Sequence, residues 1–471
     1  MPFLTYDKAL ELRRDLDDTA EVLTFGSEGY IESLRRWSDT SEKEAGAVVR
    51  AISSQQVATV VSFARKNHVP FVVRGRGHST YAASSTHGGI VIDLSKMCKV
   101  VVDSASKTVA VQGGATWREV DTATAPYGLA IVGGTLDLSG VAGTTLGGGY
   151  GWLTGRYGLA IDNLLSVRIV LADGKVTIAS ETQQPDLFWA VRGAGQAFGV
   201  VTELVFQAHD QKSPVYGGLL KFPAERLREV VEFANAFEVR STKDQGLYFG
   251  FTCPPPERKA AIFAVLFYNG PLKDAESFFS PLLSLRPIVN ETDMMPYERL
   301  NTTIERFTSS TGRKNIGGIN ITLPLDFQRV WQLFQQYETI MSMNRRVEES
   351  TLTFQLLPYA EVARVPVEAT ACANRGHNYN ACVIFCWHDP DQDTKMYNLH
   401  QKFLKEVEEC GGIRDYESHN QGIGVVYANF AGKGVALEDI FGANLPRLRF
   451  LKTKYDPDNV FKKWHNLQRR E

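Results

Sequence analysis

Cysteine is scarce in this chain of 471 residues. There are six, Cys98, Cys253, Cys372, Cys382, Cys386 and Cys410, with no CxxC pair and no framework spacing. Scattered thiols suit a reducing compartment rather than a disulfide scaffold. Cys382 and Cys386, inside the apolar run "ACVIFCW", read as core thiols of a buried strand. An excess of charge of one sign is also lacking: Lys+Arg number 51 and Asp+Glu 53, a net charge of −2. Without a basic cluster there is no electrostatic footprint for nucleic acid, so a small-molecule partner is expected. No apolar run approaches the length of a membrane span, and the start "MPFLTYDKALELRRDLDD" has no apolar centre of a secretory signal. The expected protein is cytoplasmic and has no membrane partner. Three Asn-x-Ser/Thr sites, at Asn290, Asn301 and Asn320, leave a secreted form as the alternative. Oligomeric state is not legible.

The signatures of several common cofactors are missing as well. The G-x-G-x-x-G spacing fails wherever it begins: Gly75 and Gly77 are followed by Thr80, Gly149 and Gly151 by Thr154, Gly193 and Gly195 by Phe198. The strand–turn–helix context with an acid about 20 residues on is absent too, which removes a Rossmann site. No Walker lysine follows a glycine loop. The nine histidines show no HExxH or other paired spacing, so no metal site is expected.

What the chain does have is ordinary globular bulk, with 44% hydrophobic and 22% charged residues. Its length suits about three domains, or two large ones. Strands are expected at "GAVVRAI", "FVVR", "GIVIDL" and "TVAVQGG", with a helix capped by Ser53 or Ser54 carrying Val57, Val60, Val61 and Ala64 on one face. A short helix is expected over Thr116 to Pro126. "NLLSVRIVLADGKVTIA" reads as a hairpin turning at Asp173-Gly174. Near residue 211 glycine thins out. Amphipathic helices then alternate with strands such as "AAIFAVLFYNG", "TLTFQLLPY" and "YNACVIFCW", as expected of one sheet covered by helices.

Glycine is concentrated in two places. "FVVRGRGHSTYAASSTHGGIVIDLSK" sets His78 directly after an Arg-Gly-Arg-Gly turn, and seven glycines fall between Gly140 and Gly155. Successive glycines let backbone N–H groups converge on an anion, so the pair of clusters suits a pyrophosphate-bearing ligand. Tight turns alone would explain them equally well. His87, in the loop that follows, is expected to be structural or exposed.

Taken together, "VRGRGHS", "GVAGTTLGGGYGWLTGRYGLAIDNLLSVRIVLADG", "LFWAVRGAGQAFGVVTEL" and the closing "VVYANFAG" and "FGANLPRLRFLKTKYDPDNVF" resemble the FAD-linked oxidase superfamily. These are the vanillyl-alcohol-oxidase-type flavoproteins with a PCMH-type FAD-binding domain. The resemblance is closest to the berberine-bridge-enzyme-like and 6-hydroxy-D-nicotine-oxidase-like branch. It implies an α+β fold in which a two-subdomain FAD-binding domain, residues 40–210, is joined to a substrate domain, 211–429. The latter would be an antiparallel sheet covered by helices, and 430–471 would return to the FAD domain.

The same resemblance implies a cofactor, FAD, tethered through its 8α-methyl group to His78. The first loop would supply Arg74, Gly75, Arg76, Gly77 and Ser79 to the pyrophosphate. Thr135, Leu136, Gly140, Gly143, Thr144, Gly148, Gly151 and Asn163 would contact the cofactor from the second. Val201, Tyr427, Asn429 and Asn459 would complete the set. Many relatives tether the flavin a second time through cysteine; here Leu136 stands at that position, so a single bond is expected. The ending "NVFKKWHNL" departs from the usual one, which bears on Asn459.

The implied reaction is oxidation of an alcohol or amine carbon of a small organic substrate, with O2 as acceptor and H2O2 as product. Tyr427 and Tyr157 match tyrosines beside the flavin, and Gln355 matches a substrate-facing polar position. A tyrosine base would need a pKa lowered from about 10; Gln355 can orient but not deprotonate. Alternatives on the same scaffold are an oxidative or redox-neutral cyclase and a dehydrogenase passing electrons to a quinone. A protein that has lost FAD is the remaining one.

Overall fold

The computed structural model describes residues 3–253, 258–305, 311–344, 347, 349–411, 423–432 and 434–468. Its strands form three main sheets, with a small two-stranded pairing of Leu129–Ala130 and His209–Asp210 besides. The first sheet has the order Glu21–Leu23, Ala47–Arg50, Ile90–Asp93, Phe71–Arg74, and its last three strands are parallel. Parallel strands need a crossover. The helix Ser54–Lys66 supplies it, with the Ser53 hydroxyl accepting from the Gln56 amide and Val57, Val60, Val61 and Ala64 buried. Upstream of residue 40, the edge strand Glu21–Leu23 and the helix Tyr6–Asp15 belong to this layer, the latter through Ala9 and Leu12.

The second sheet is antiparallel, in the order Val100–Asp103, Thr108–Gln112, Val200–Gln207, Leu164–Val170, Val176–Ser180. Its hairpin turns at Asp173-Gly174, where Gly174 takes φ +84°. Helix Trp117–Thr124 starts on a capping box: Thr116 accepts from the Glu119 amide while the Glu119 carboxylate reaches back.

The third sheet is antiparallel throughout. It contains Val215–Phe222, Ala261–Tyr268, Gln245–Thr252, Thr351–Leu356, Tyr379–Trp387 and Arg313–Ile321 in that spatial order, with short edges near 289–295. One face carries Ile262, Ala264, Leu266, Phe249 and Phe251 into a core shared with the helices Leu227–Arg240, Leu272–Leu283, Phe327–Met343 and Asp393–Glu408. The other carries Phe263, Val265 and Tyr248, in period-2 alternation, away from those helices.

The C-terminal stretch packs back onto the second sheet's layer. Ile440, Phe441, Leu445, Leu448, Leu451 and Leu467 share a core with Leu187, Phe188 and Val191 of the helix Pro185–Ala194. A buried pair fixes it: the Lys452 ammonium meets Asp456 at 2.5 Å and donates to the carbonyls of Ala197 and Phe461. No helix among the described residues is long and apolar enough to cross a membrane.

Candidate functional site

The uncovered face of the third sheet, the two glycine clusters and the C-terminal segment enclose one long cavity. Its volume open to the centres of water molecules is about 360 Å³, tens of times the roughly 10–15 Å³ that one water needs. That is room for a small-molecule or cofactor ligand.

At one wall the strand Phe71–Arg74 ends in the turn bearing Gly75, Arg76, Gly77, His78 and Ser79, all of which line the cavity. Gly77 sits at φ +74°, and a Cβ there would lie 2.8 Å from Arg36 Cδ, so the turn admits no side chain. Arg76 donates to Glu119 at 2.8 Å, yet its Nε has no partner. The His78 ring borders the cavity but lies deep in the protein. Burial, with Lys314 and Arg76 nearby, pushes its pKa down to about 4. The ring hydrogen-bonds the Arg76 backbone, and Nδ1 is left with no partner. Trp37 stacks on it, ring centroids 5.7 Å apart, and the Lys314 ammonium lies over the Trp37 ring. A neutral imidazole held against Trp37 at the edge of a large cavity, with one buried nitrogen unpartnered, has the chemistry of a nucleophile.

The second cluster faces it. Thr135, Leu136, Gly140, Gly143 and Thr144 line the cavity, and so does Val201 of the strand Val200–Gln207. A Cβ on Gly143 would meet nothing within 4 Å, whereas Gly140 packs against Arg76. The cysteines are all free, and none stands beside Leu136 in the sequence. The C-terminal segment closes the wall: Asn429 Nδ2 donates to the Thr144 carbonyl at 2.8 Å and to the Tyr427 hydroxyl at 2.6 Å. Tyr427 Oη also accepts from the Gly149 amide at 2.9 Å. Burial nevertheless raises the Tyr427 pKa to about 12, opposite to what a base requires.

Several expected residues stand elsewhere. Tyr157 is not in the cavity wall; its ring stacks on His209 at 3.6 Å, because the chain returns there after the strand Val200–Gln207. Asn163 donates to the carbonyls of Tyr157 and Leu159 and its Oδ1 meets His209, so it holds the turn. Gly151 lies outside the wall, where a Cβ would fall 1.7 Å from the Gly133 carbonyl oxygen. Gly148, at φ +129°, packs under Tyr427. Arg74 is paired with the buried Asp93 at 2.7 Å. Asn459 donates to Asn466, although its neighbours Val460 to Trp464 do line the cavity. His87 is exposed against Phe3.

Residues that sequence reading passed over come from the third sheet. Tyr248, Thr351, Thr353, Cys382 and Ile384 join Gln355 along the cavity. Only the register brings them together: Tyr248 faces Gln355, and Thr353 faces Cys382. Tyr150, which donates to Asn374 Oδ1 at 2.7 Å, also lines it. Away from the cavity wall, Glu349, Cys386 and His388 bring potential ligand atoms within 4.8 Å of one another. There the Cys386 thiol, pushed up to about 12 by burial, donates to Glu349 at 3.3 Å.

Comparison with known proteins agrees with this geometry. Residues 45–180 match the family described as FAD binding domain, and residues 426–468 match the family described as berberine and berberine like. The chain is 32% identical to the FAD-linked oxidoreductase pgmH of Aspergillus terreus over 96% of its length and 94% of that protein. It is 31% identical to the FAD-linked oxidoreductase hasG of Aspergillus fumigatus, over 94% of its length and 95% of that protein. Among solved structures, 6-hydroxy-D-nicotine oxidase from Arthrobacter nicotinovorans superposes with a TM-score of 0.80 at 22% identity, covering 96% of this chain and 98% of that one. A berberine-bridge-like enzyme of Physcomitrella patens gives 0.83 at 21%, covering 99% and 100%.

Proposed function

Because this chain belongs to the FAD-linked oxidoreductases of the berberine-like kind, we propose that it oxidises an alcohol or amine carbon of a small organic molecule. The glycine turns and the third sheet would hold FAD in the cavity between them, where it would supply a two-electron acceptor that O2 can reoxidise to give H2O2. The chain divides for this task into the cofactor-binding part, 40–210, the substrate part, 211–429, and the returning segment, 430–471.

One observation supports the reading: His78 and Arg76 line one large cavity, and His78 Nδ1 and Arg76 Nε are buried without a partner. His78 forms the single covalent tether. Gly75, Arg76, Gly77 and Ser79 on one side, and Gly140, Gly143 and Thr144 on the other, cradle the diphosphate. Thr135, Leu136 and Val201 bound the ring system. Tyr427, proton-bearing at neutral pH, orients the reacting group together with Asn429, and Gln355 positions the substrate from the opposite wall. Trp37 and Lys314 support the tether by fixing the imidazole plane.

Acid denaturation of the purified protein tests this. Yellow colour should stay with the precipitate, and in His78→Ala it should pass to the supernatant or be absent. Turnover should release peroxide stoichiometrically; colourless precipitate from the unaltered protein excludes the tether.

A further inference from the structure

One group of ligand-capable side chains takes no part in the cavity. Cys386 stands near the end of the strand Tyr379–Trp387, on the face that Cys382 and Ile384 turn toward the cavity, and it pairs in register with Lys314. His388 follows two residues later, just past the strand, and reaches the surface. Glu349 comes from a segment 37 positions away in the chain, a distance that no sequence spacing announces. Its neighbour Ser350 holds it there: the Cys386 amide donates to Ser350 Oγ at 2.9 Å, and that hydroxyl donates to the Cys386 carbonyl at 3.3 Å. Potential ligand atoms of Glu349, Cys386 and His388 thus lie within 4.8 Å of one another, and none of the three residues lines the cavity.

Two further features distinguish this cluster from a chance meeting of polar groups. Gly312 stands against it at φ +96°, and a Cβ there would fall 3.2 Å from Cys386 Sγ and 3.4 Å from His388 Nδ1. The absent side chain leaves one point within reach of both donors. The donors are also uncommitted. The His388 ring hydrogen-bonds no described residue, and the Glu349 carboxylate accepts only from the Cys386 thiol, at 3.3 Å.

Donor chemistry selects the ion. One thiolate, one imidazole and one carboxylate suit borderline-soft Zn2+, whereas Mg2+ and Ca2+ take oxygen ligands. Tetrahedral zinc with bonds of about 2.0–2.3 Å needs donors roughly 3.5 Å apart. Glu349 and Cys386 already meet that spacing, and a turn of the surface ring of His388 closes the remainder. Carboxylate and thiolate together balance the dication, while the Lys314 ammonium beside them lies in the field of Asp39 as well as Glu349.

We propose that Glu349, Cys386 and His388 form a zinc site, with its fourth position open to water, apart from the flavin cavity. As the ion binds, the Zn–S bond replaces the Cys386 S–H bond and the proton passes to solvent; no electron moves.

The test titrates the flavin-loaded, tag-free enzyme, stripped with EDTA and dialysed, with ZnCl2 in a calorimeter. One Zn2+ should bind per chain, and MgCl2 should give no binding heat. X-ray absorption at the zinc edge should show one sulfur at about 2.3 Å among nitrogen and oxygen ligands at about 2.0–2.2 Å. His388→Gln, a change at the surface, should weaken zinc binding about tenfold or more, and Cys386→Ser should do the same. Flavin absorbance reports whether each variant is folded; if Cys386→Ser is not, His388→Gln decides. Absence of one-to-one binding, a zinc shell without sulfur, unchanged affinity in a folded variant, or equal uptake of Mg2+ overturns the proposal.

Discussion

Glycines in one motif do two different jobs, and single substitutions separate them. Gly151 is pressed onto the Gly133 carbonyl, so Gly151→Ala must move backbone; we expect a loss of about 3 kcal/mol or more, or no folded protein. Gly143 faces open space, so Gly143→Ala should fold with an unchanged melting temperature but retain less flavin. Thermal melts and flavin-to-protein absorbance ratios check both. A sequence shows the glycines but not which of them touches backbone and which touches ligand. The same limit explains Tyr157 and Asn163. Their place in "RYGLAIDN" fits the resemblance, but His209, 46 residues past Asn163, occupies the space next to them. His78 was singled out by the resemblance of its loop, and it lines the cavity because its sequence neighbours Gly75, Arg76 and Gly77 are also its neighbours in the turn.

Elements are joined by buried polar contacts that no local pattern announces. The turn Ala160–Asn163 is bound to the segment near 370–375 by Asp162 and Arg375, 2.6 Å apart, with Arg375 wholly buried. Arg375 also donates to Thr370 Oγ1, and Asp162 accepts from the Leu159 amide. Removing one charge strands the other. Asp162→Asn should cost about 3–5 kcal/mol, seen as a lower denaturant midpoint, with the cavity disordered at Tyr150 and Tyr427. Strands and helices themselves were readable: apolar runs marked the strands at 261–268 and 351–356, and Ser53 and Thr116 marked two helix starts. The cavity wall was not. Residues 248, 353 and 382 meet through strand pairings up to 107 positions apart in the chain, and no periodicity encodes which strand lies beside which.

Across the whole molecule, several histidines are folded in their neutral form, which sets a pH limit. His400 Nε2 donates to the Val383 carbonyl while Nδ1 accepts from Asn315, an arrangement only the neutral ring satisfies. Burial holds His400 and His465 down to about 4, against 6.5 for a free imidazole. The unfolded chain therefore binds more protons between these values. The stability these rings contribute is complete above pH 6.5 and is lost as pH falls toward 4. Melting temperature should drop by several degrees from pH 7 to pH 5, and less steeply in His400→Gln. A melting temperature flat across that interval would show that the rings titrate normally.

The proposed function turns on one side chain, His78, which lines the cavity. Mass spectrometry of the tryptic peptide from Gly77 to Lys96 addresses it most directly. We expect that peptide to carry the mass of one FAD less two hydrogens, with fragmentation placing it on His78 and no flavin on any cysteine-containing peptide. An unmodified Gly77–Lys96 peptide from yellow enzyme, or flavin mass on another residue, would contradict the tether and the orientation of the site built on it.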